Sequence, residues 1–103
     1  MQMLVAIVPN SNEDKILRNA TTEAREQIEA YGLFRTRLRE MSSYSAKLRK
    51  IKNDDIHYLG EFDISGLRKG FGISVYQDGS VYEGDFNNDK PNGMGRKTYD
   101  NGS

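Results

Sequence analysis

One histidine, His57, stands in a chain that has no cysteine. A metal cluster needs several converging His, Cys or carboxylate ligands, and a nucleophile triad needs a base beside its nucleophile; neither of the usual kinds is available. His57 reads as a half-exposed strand residue. Asp85, Asn87 and Asp89 imitate the first ligands of a calcium loop. Lys90 and Arg96 then fall where such a loop needs glycine and glutamate, so the match fails. Gly70-Phe71-Gly72 and Gly93-Met94-Gly95 are not phosphate loops: each lacks a third glycine and leads into a strand pattern instead of a helix. Asp54-Asp55 follows a basic stretch and reads as linker carboxylates. Arg39-Glu40-Met41-Ser42 fits a phosphorylation pattern too short to carry weight. No catalytic residue, metal or cofactor is expected, and the chain does not read as an enzyme.

The elements around these residues have little apolar material. The 103 residues suffice for one small domain, or for one domain with an extension. Leu, Ile, Val and Phe together number 22, close to the level at which chains stay disordered. A long helix, a repeat fragment or a chain completed by a partner fits such a thin core. Net charge is zero, so bulk attraction to nucleic acid is not expected. Charge is nevertheless segregated: residues 1–32 carry a net −2, residues 33–52 a net +6 and residues 53–103 a net −4. The missing cysteines are consistent with an intracellular setting.

The chain divides into three parts. Residues 1–11 hold the longest apolar run, Met3 to Val8, which is too short to span a bilayer and reads as a strand or docking segment. Residues 12–53 read as a helical region. Apolar residues recur at Ala24, Ile28, Tyr31, Phe34, Leu38, Met41, Tyr44, Leu48 and Ile51, always three or four apart. The mean step is close to that of coiled coils. This spacing predicts a long amphipathic helix, with a break near residue 20 where Thr21 or Thr22 can cap a second helix. Its basic half, with Arg35, Arg39, Lys47 and Arg49, is a candidate docking surface for an acidic partner.

After Asn53 the composition changes, and nine of the ten glycines lie between Gly60 and Gly102. The segment repeats. Tyr58-Leu59-Gly60-Glu61-Phe62 matches Tyr82-Glu83-Gly84-Asp85-Phe86 at a spacing of 24. Gly70-Phe71-Gly72 with Tyr76 and Asp78-Gly79-Ser80 matches Gly93-Met94-Gly95 with Tyr99 and Asn101-Gly102-Ser103 at a spacing of 23. Tyr58, Gly60 and Phe62 alternate and so share one strand face. The glycine between two rings leaves a slot for a close neighbour. Each repeat predicts one β-hairpin, and a hairpin alone cannot bury its ring face, so the units must stack.

These residues resemble MORN repeats, over about Tyr58 to Ser103. Asp89 departs from that pattern, standing where the family usually has the turn glycine that Gly66 supplies in the first unit. The fold expected is therefore α+β: a long N-terminal helix, then a small antiparallel sheet of two stacked hairpins over residues 57–103, open at its C-terminal end. The resemblance implies a structural or scaffolding role in a larger assembly, cytoskeletal or ciliary, such as an axoneme. It also implies protein binding, often of helices, on an aromatic groove formed here by Tyr58, Phe62, Tyr76, Tyr82, Phe86 and Tyr99. The same rings serve equally as packing between hairpins. Gly60, Gly70, Gly72, Gly84, Gly93 and Gly95 are the structural glycines. Alternative roles are a membrane or phosphoinositide surface module, through the basic helix, and a regulatory appendage of an enzyme complex. With so thin a core, the chain is expected to be stable only within a complex, its partner covering the aromatic groove or the edge from Met94 to Tyr99.

Overall fold

The computed structural model of the chain describes residues 7–32, 47–51 and 56–103. Two short helices precede a five-stranded sheet: α1 (Asn12–Leu17), α2 (Thr22–Tyr31), β1 (Lys47–Ile51), β2 (Ile56–Phe62), β3 (Arg68–Val75), β4 (Val81–Asn87) and β5 (Lys90–Thr98). All neighbouring strands are antiparallel, in sequence order from β1 to β5.

The helices start where polar caps allow. The Ser11 hydroxyl accepts the Asp14 N–H at 3.1 Å, and the Thr21 hydroxyl accepts the Ala24 N–H at 3.1 Å. Each cap satisfies a donor that the first turn leaves orphaned. Between the helices the chain tightens, with Asn19 N–H donating to the Ile16 carbonyl and Ala20 N–H to the Leu17 carbonyl. The break expected near residue 20 is present, with Thr21 as its cap.

The long helix is not present among the described residues. α2 ends at Tyr31, and Gly32 follows with a φ of 85°. Lys47–Ile51, expected to be helical, is instead a strand paired with β2, from Lys47 opposite Gly60 to Ile51 opposite Ile56. Leu48 and Ile51, three apart, fit a helical stripe, but in the strand they fall on opposite faces, opposite Leu59 and Ile56. The unpaired edge of β2 offers Lys47–Ile51 a full ladder of backbone partners, which an isolated helical turn lacks. Most of the first segment, residues 1–6, lies outside the described residues, as does the stretch 33–46 with Arg35 and Arg39.

Alternation gives the sheet two different faces. One is aliphatic: Leu59, Phe71, Ile73, Val75 and Val81 pack against Ile16 and Leu17 of α1 and Ala24 and Ile28 of α2. Ile16, Leu17 and Ile73 are fully buried, each worth roughly 1.5–3 kcal/mol relative to exposure. The other face carries the rings and glycines, and neither helix lies on it.

Both helices are tied down by polar groups. Asp14 accepts from the Asn10 N–H at 2.8 Å, from Arg18 at 2.9 Å and from Arg25 at 2.6 Å, linking the α1 entry to α2. The start of α2 sits on the two equivalent repeat turns. Thr21 N–H donates to the Gly79 carbonyl at 3.1 Å, and the Thr21 hydroxyl donates to the Asp100 carbonyl at 2.6 Å. At its other end, Arg96 donates to the Gly32 carbonyl at 2.7 Å while pairing with the fully buried Glu83 at 2.7 Å.

Candidate functional site: the aromatic face

The face opposite the helices is assembled from the same local device twice. In the first unit the Tyr58 ring lies flat over Gly60 and Gly72, which face each other across β2 and β3. A Cβ on Gly60 would stand 2.7 Å from Tyr58 Cζ, and one on Gly72 2.6 Å from the same atom. In the second unit Tyr82 lies over Gly84 and Gly95, paired across β4 and β5 in the same way. Bare glycine is what allows a ring to lie against the backbone. Each hydroxyl is satisfied locally: Tyr58 Oη donates to the Glu61 carbonyl at 2.9 Å and Tyr82 Oη to that of Asp85 at 3.1 Å. Burial pushes the pKa of the Tyr58, Tyr76 and Tyr82 phenols up, so they stay neutral donors.

The rings then link edge to face. Tyr58 meets Phe62 at 5.1 Å and Phe86 at 5.2 Å, and Tyr82 meets Phe86 at 5.3 Å between centroids. Such pairs are favourable by about 0.5–1.5 kcal/mol beyond the area they bury. The series Phe62, Tyr58, Phe86, Tyr82 thus runs without interruption across both units.

Cations sit on this series. The Arg68 guanidinium lies 5.0 Å from the Phe86 centroid and 5.8 Å from that of Tyr58. Arg68 is buried, its charge met by Asp89 Oδ1 at 2.7 Å and the Asp89 carbonyl at 2.6 Å, with Ser74 Oγ accepting a further bond. Arg49 of β1 stands 5.0 Å over Phe62, and the Lys97 ammonium stands 4.5 Å from Tyr76 and 5.5 Å from Tyr99. Ring faces attract cations, more strongly as water is excluded.

The expected site residues separate into layers. Tyr58 and Phe86 are buried and serve as packing between the hairpins. Phe62, Tyr76 and Tyr82 are half-buried, and Tyr99 is exposed. Lys47 and Arg49 lie exposed on β1, a strand and not a helix. Gly70 and Gly93 have φ of 74° and 89°, equivalent left-handed positions in β3 and β5. Asp89 proves to be half of a two-residue hairpin loop: Asn88 and Asp89 have φ of 51° and 68°, between the paired residues Asn87 and Lys90. Asn and Asp tolerate such angles, so the missing glycine is replaced and its carboxylate reaches Arg68.

Sequence reasoning missed three contributors: Arg68, the Glu83–Arg96 pair and the docking role of Thr21. A buried arginine has no signature of its own among charged residues; the only hint was Asp89 breaking the turn pattern. Among the described residues, no three His, Cys, Asp or Glu side chains are grouped as a metal site. No helix among them is long and apolar enough to cross a membrane.

Residues 58–81 and residues 82–103 each match the family model of the MORN repeat. No curated protein matches the chain. The sheet from β2 to β5 is therefore a pair of MORN repeats, a module of protein interaction or membrane association.

Proposed function

We propose that this protein is a non-enzymatic scaffolding module that docks into a larger protein assembly through the aromatic face of its MORN repeats. The observation that supports this reading is the division of the sheet. The helices cover the aliphatic face, while Phe62, Tyr76, Tyr82 and Tyr99 remain accessible on the other, with Arg49 and Lys97 laid over the rings. Rigid aromatic rings beside cations favour a partner that brings apolar and acidic side chains together, such as an amphipathic helix. We read the assembly as cytoskeletal or ciliary; the support for that finer assignment is the repeat family alone.

Quantitative mass spectrometry of proteins co-purified with the full chain tests the proposal. A discrete set should accompany the wild type and fall by about tenfold with Tyr82→Ala or Arg49→Glu. An unchanged set with both variants, each shown to be folded, would contradict it. A second reading, attachment to an anionic membrane, draws on the exposed Lys47, Arg49 and Lys50 of β1, worth about 1 kcal/mol each near such a surface. Flotation of the chain with anionic vesicles, lost with Arg49→Glu, would favour that reading over the first.

A further inference from the structure

We infer that Asn92 is a site of spontaneous covalent modification: the Gly93 nitrogen closes on the Asn92 side chain and converts it to aspartate or isoaspartate, while the fold blocks the same reaction at Asn101-Gly102. The inference concerns the second repeat alone and does not depend on the docking role proposed above.

The chemistry needs only water and hydroxide. Loss of the Gly93 N–H proton leaves a nitrogen that attacks Asn92 Cγ. A C–N bond forms, the side-chain amide leaves as ammonia, and a cyclic succinimide remains. Water opens the ring at either carbonyl. One opening gives aspartate; the other gives isoaspartate, with the main chain rerouted through the side chain. Glycine permits the attack because it has no Cβ to shield its nitrogen.

Three Asx-Gly pairs occur among the described residues: Asp78-Gly79, Asn92-Gly93 and Asn101-Gly102. Two of them are locked. Asp78 Oδ1 accepts from the Ser80 N–H at 2.9 Å and from its hydroxyl at 2.6 Å, and the Gly79 N–H donates to the Tyr76 carbonyl at 2.8 Å. Asn101 Oδ1 accepts from the Ser103 N–H at 3.0 Å and from its hydroxyl at 2.7 Å, and the Gly102 N–H donates to the Tyr99 carbonyl at 2.8 Å. In both turns the side chain is held by the serine two residues on, and the nitrogen it would have to meet is already bonded.

Asn92 lacks these restraints. It is exposed, as are Pro91, Gly93 and Met94 around it. No side-chain hydrogen bond holds it among the described residues. The ladder between β4 and β5 passes from Phe86 opposite Pro91 to Gly84 opposite Gly95, so Asn92, Gly93 and Met94 bulge opposite Asp85. A bulge disrupts the regular ladder that would fix such a peptide. The nearest atom that a Cβ on Gly93 would meet is Asp85 Oδ2, at 3.5 Å, so the space beside this peptide is open. The first repeat has Lys69 before Gly70 at the equivalent place and cannot react.

The product disturbs a ring seat. Isoaspartate adds one carbon to the main chain between Pro91 and Gly95, the glycine over which Tyr82 lies. The new carboxylate also arises in the bulge opposite Asp85, and like charges across a strand pair are unfavourable. Modification at Asn92 therefore loosens Tyr82 in the second unit and leaves Tyr58 of the first unit in place.

The test incubates the full chain at mildly alkaline pH, folded and in urea, and maps its peptides by mass and by enzymatic methylation of isoaspartate. The folded chain should lose Asn92 at about the rate seen in urea while retaining Asn101; in urea both should be lost. Asn92→Lys, which installs the first repeat's residue, should remove the acidic species that accumulates in the folded chain. The isolated isoaspartate form should show Tyr82 more reactive toward hydroxyl radicals, with Tyr58 unchanged. The inference is overturned if Asn92 converts far more slowly folded than in urea, if Asn101 converts alongside it in the folded chain, or if Tyr82 is unaffected in the isoaspartate form.

Discussion

At the scale of single residues, the molecule depends on places where a missing atom or one charge decides the geometry. Gly84 is one such place. A Cβ there would meet the Gly95 backbone, stand 2.5 Å from the Met94 carbonyl oxygen and 2.7 Å from Tyr82 Oη. Backbone cannot yield as a flexible side chain can, so Gly84→Val should separate β4 from β5. We expect a loss of about 1–3 kcal/mol, read as a lower denaturant midpoint; an unchanged midpoint would remove the slot argument. Asp14 is another. Its hydrogen bond from Arg25, then those from the Asn10 N–H and Arg18, hold its carboxyl down at about 2. An unfolded aspartate titrates near 3.9. The folded value is the lower one, so its stabilisation is present above about pH 4 and is lost as pH falls toward 2. Urea midpoints taken from pH 5 to pH 2 should fall more steeply for the wild type than for Asp14→Asn. Parallel curves would show that the Asp14 network does not contribute.

At the scale of elements, α2 is held by the repeats and not by length. Its N-terminus rests on the turns at Gly79 and Gly102, where a Cβ would come 2.9 Å from Thr21 N and 3.1 Å from the Glu23 carbonyl oxygen. Thr21→Val removes both the cap to Ala24 and the bond to Asp100. We expect a cost of about 1 kcal/mol and faster amide exchange in α2, with β2 and β3 unaffected. Exchange rising equally throughout would mean that α2 is not a separable element. The four repeat strands, their turns and the slot glycines were legible in the sequence, because glycine, Asx turns and period-two aromatics act locally. The break before Thr21 was legible for the same reason. β1 was not: Leu48 and Ile51 are spaced as in a helix, and the conformation of Lys47–Ile51 is decided by the edge of β2. Within the site, the ring series could be read from Tyr58 to Phe86, but Arg68 could not. Its burial depends on Asp89, which lies 21 residues away and reaches it only once β3 and β4 have paired.

At the scale of the whole molecule, a thin core is spread over two faces of one sheet. Among the described residues, the aliphatic side closes under the helices, and the aromatic side closes in its middle, where Arg68 and Phe86 cover Tyr58. Breaking the central ion pair should therefore loosen both units together. Arg68→Ala takes the buried guanidinium away from Asp89 and Ser74 and opens space beside two rings; we expect a loss of about 3 kcal/mol with one cooperative transition. Two separated transitions would show the units to be independent. The claim that the aromatic face is the docking surface is tested most directly by hydroxyl-radical footprinting of the free chain and of the chain in its purified native assembly. In the free chain Phe62, Tyr76, Tyr82 and Tyr99 should react and Tyr58 should not. In the assembly Phe62, Tyr76 and Tyr82 should lose reactivity while Val8 and Lys15, on the helix side, retain it. Protection of the helix side with Phe62 and Tyr82 unchanged would contradict the account.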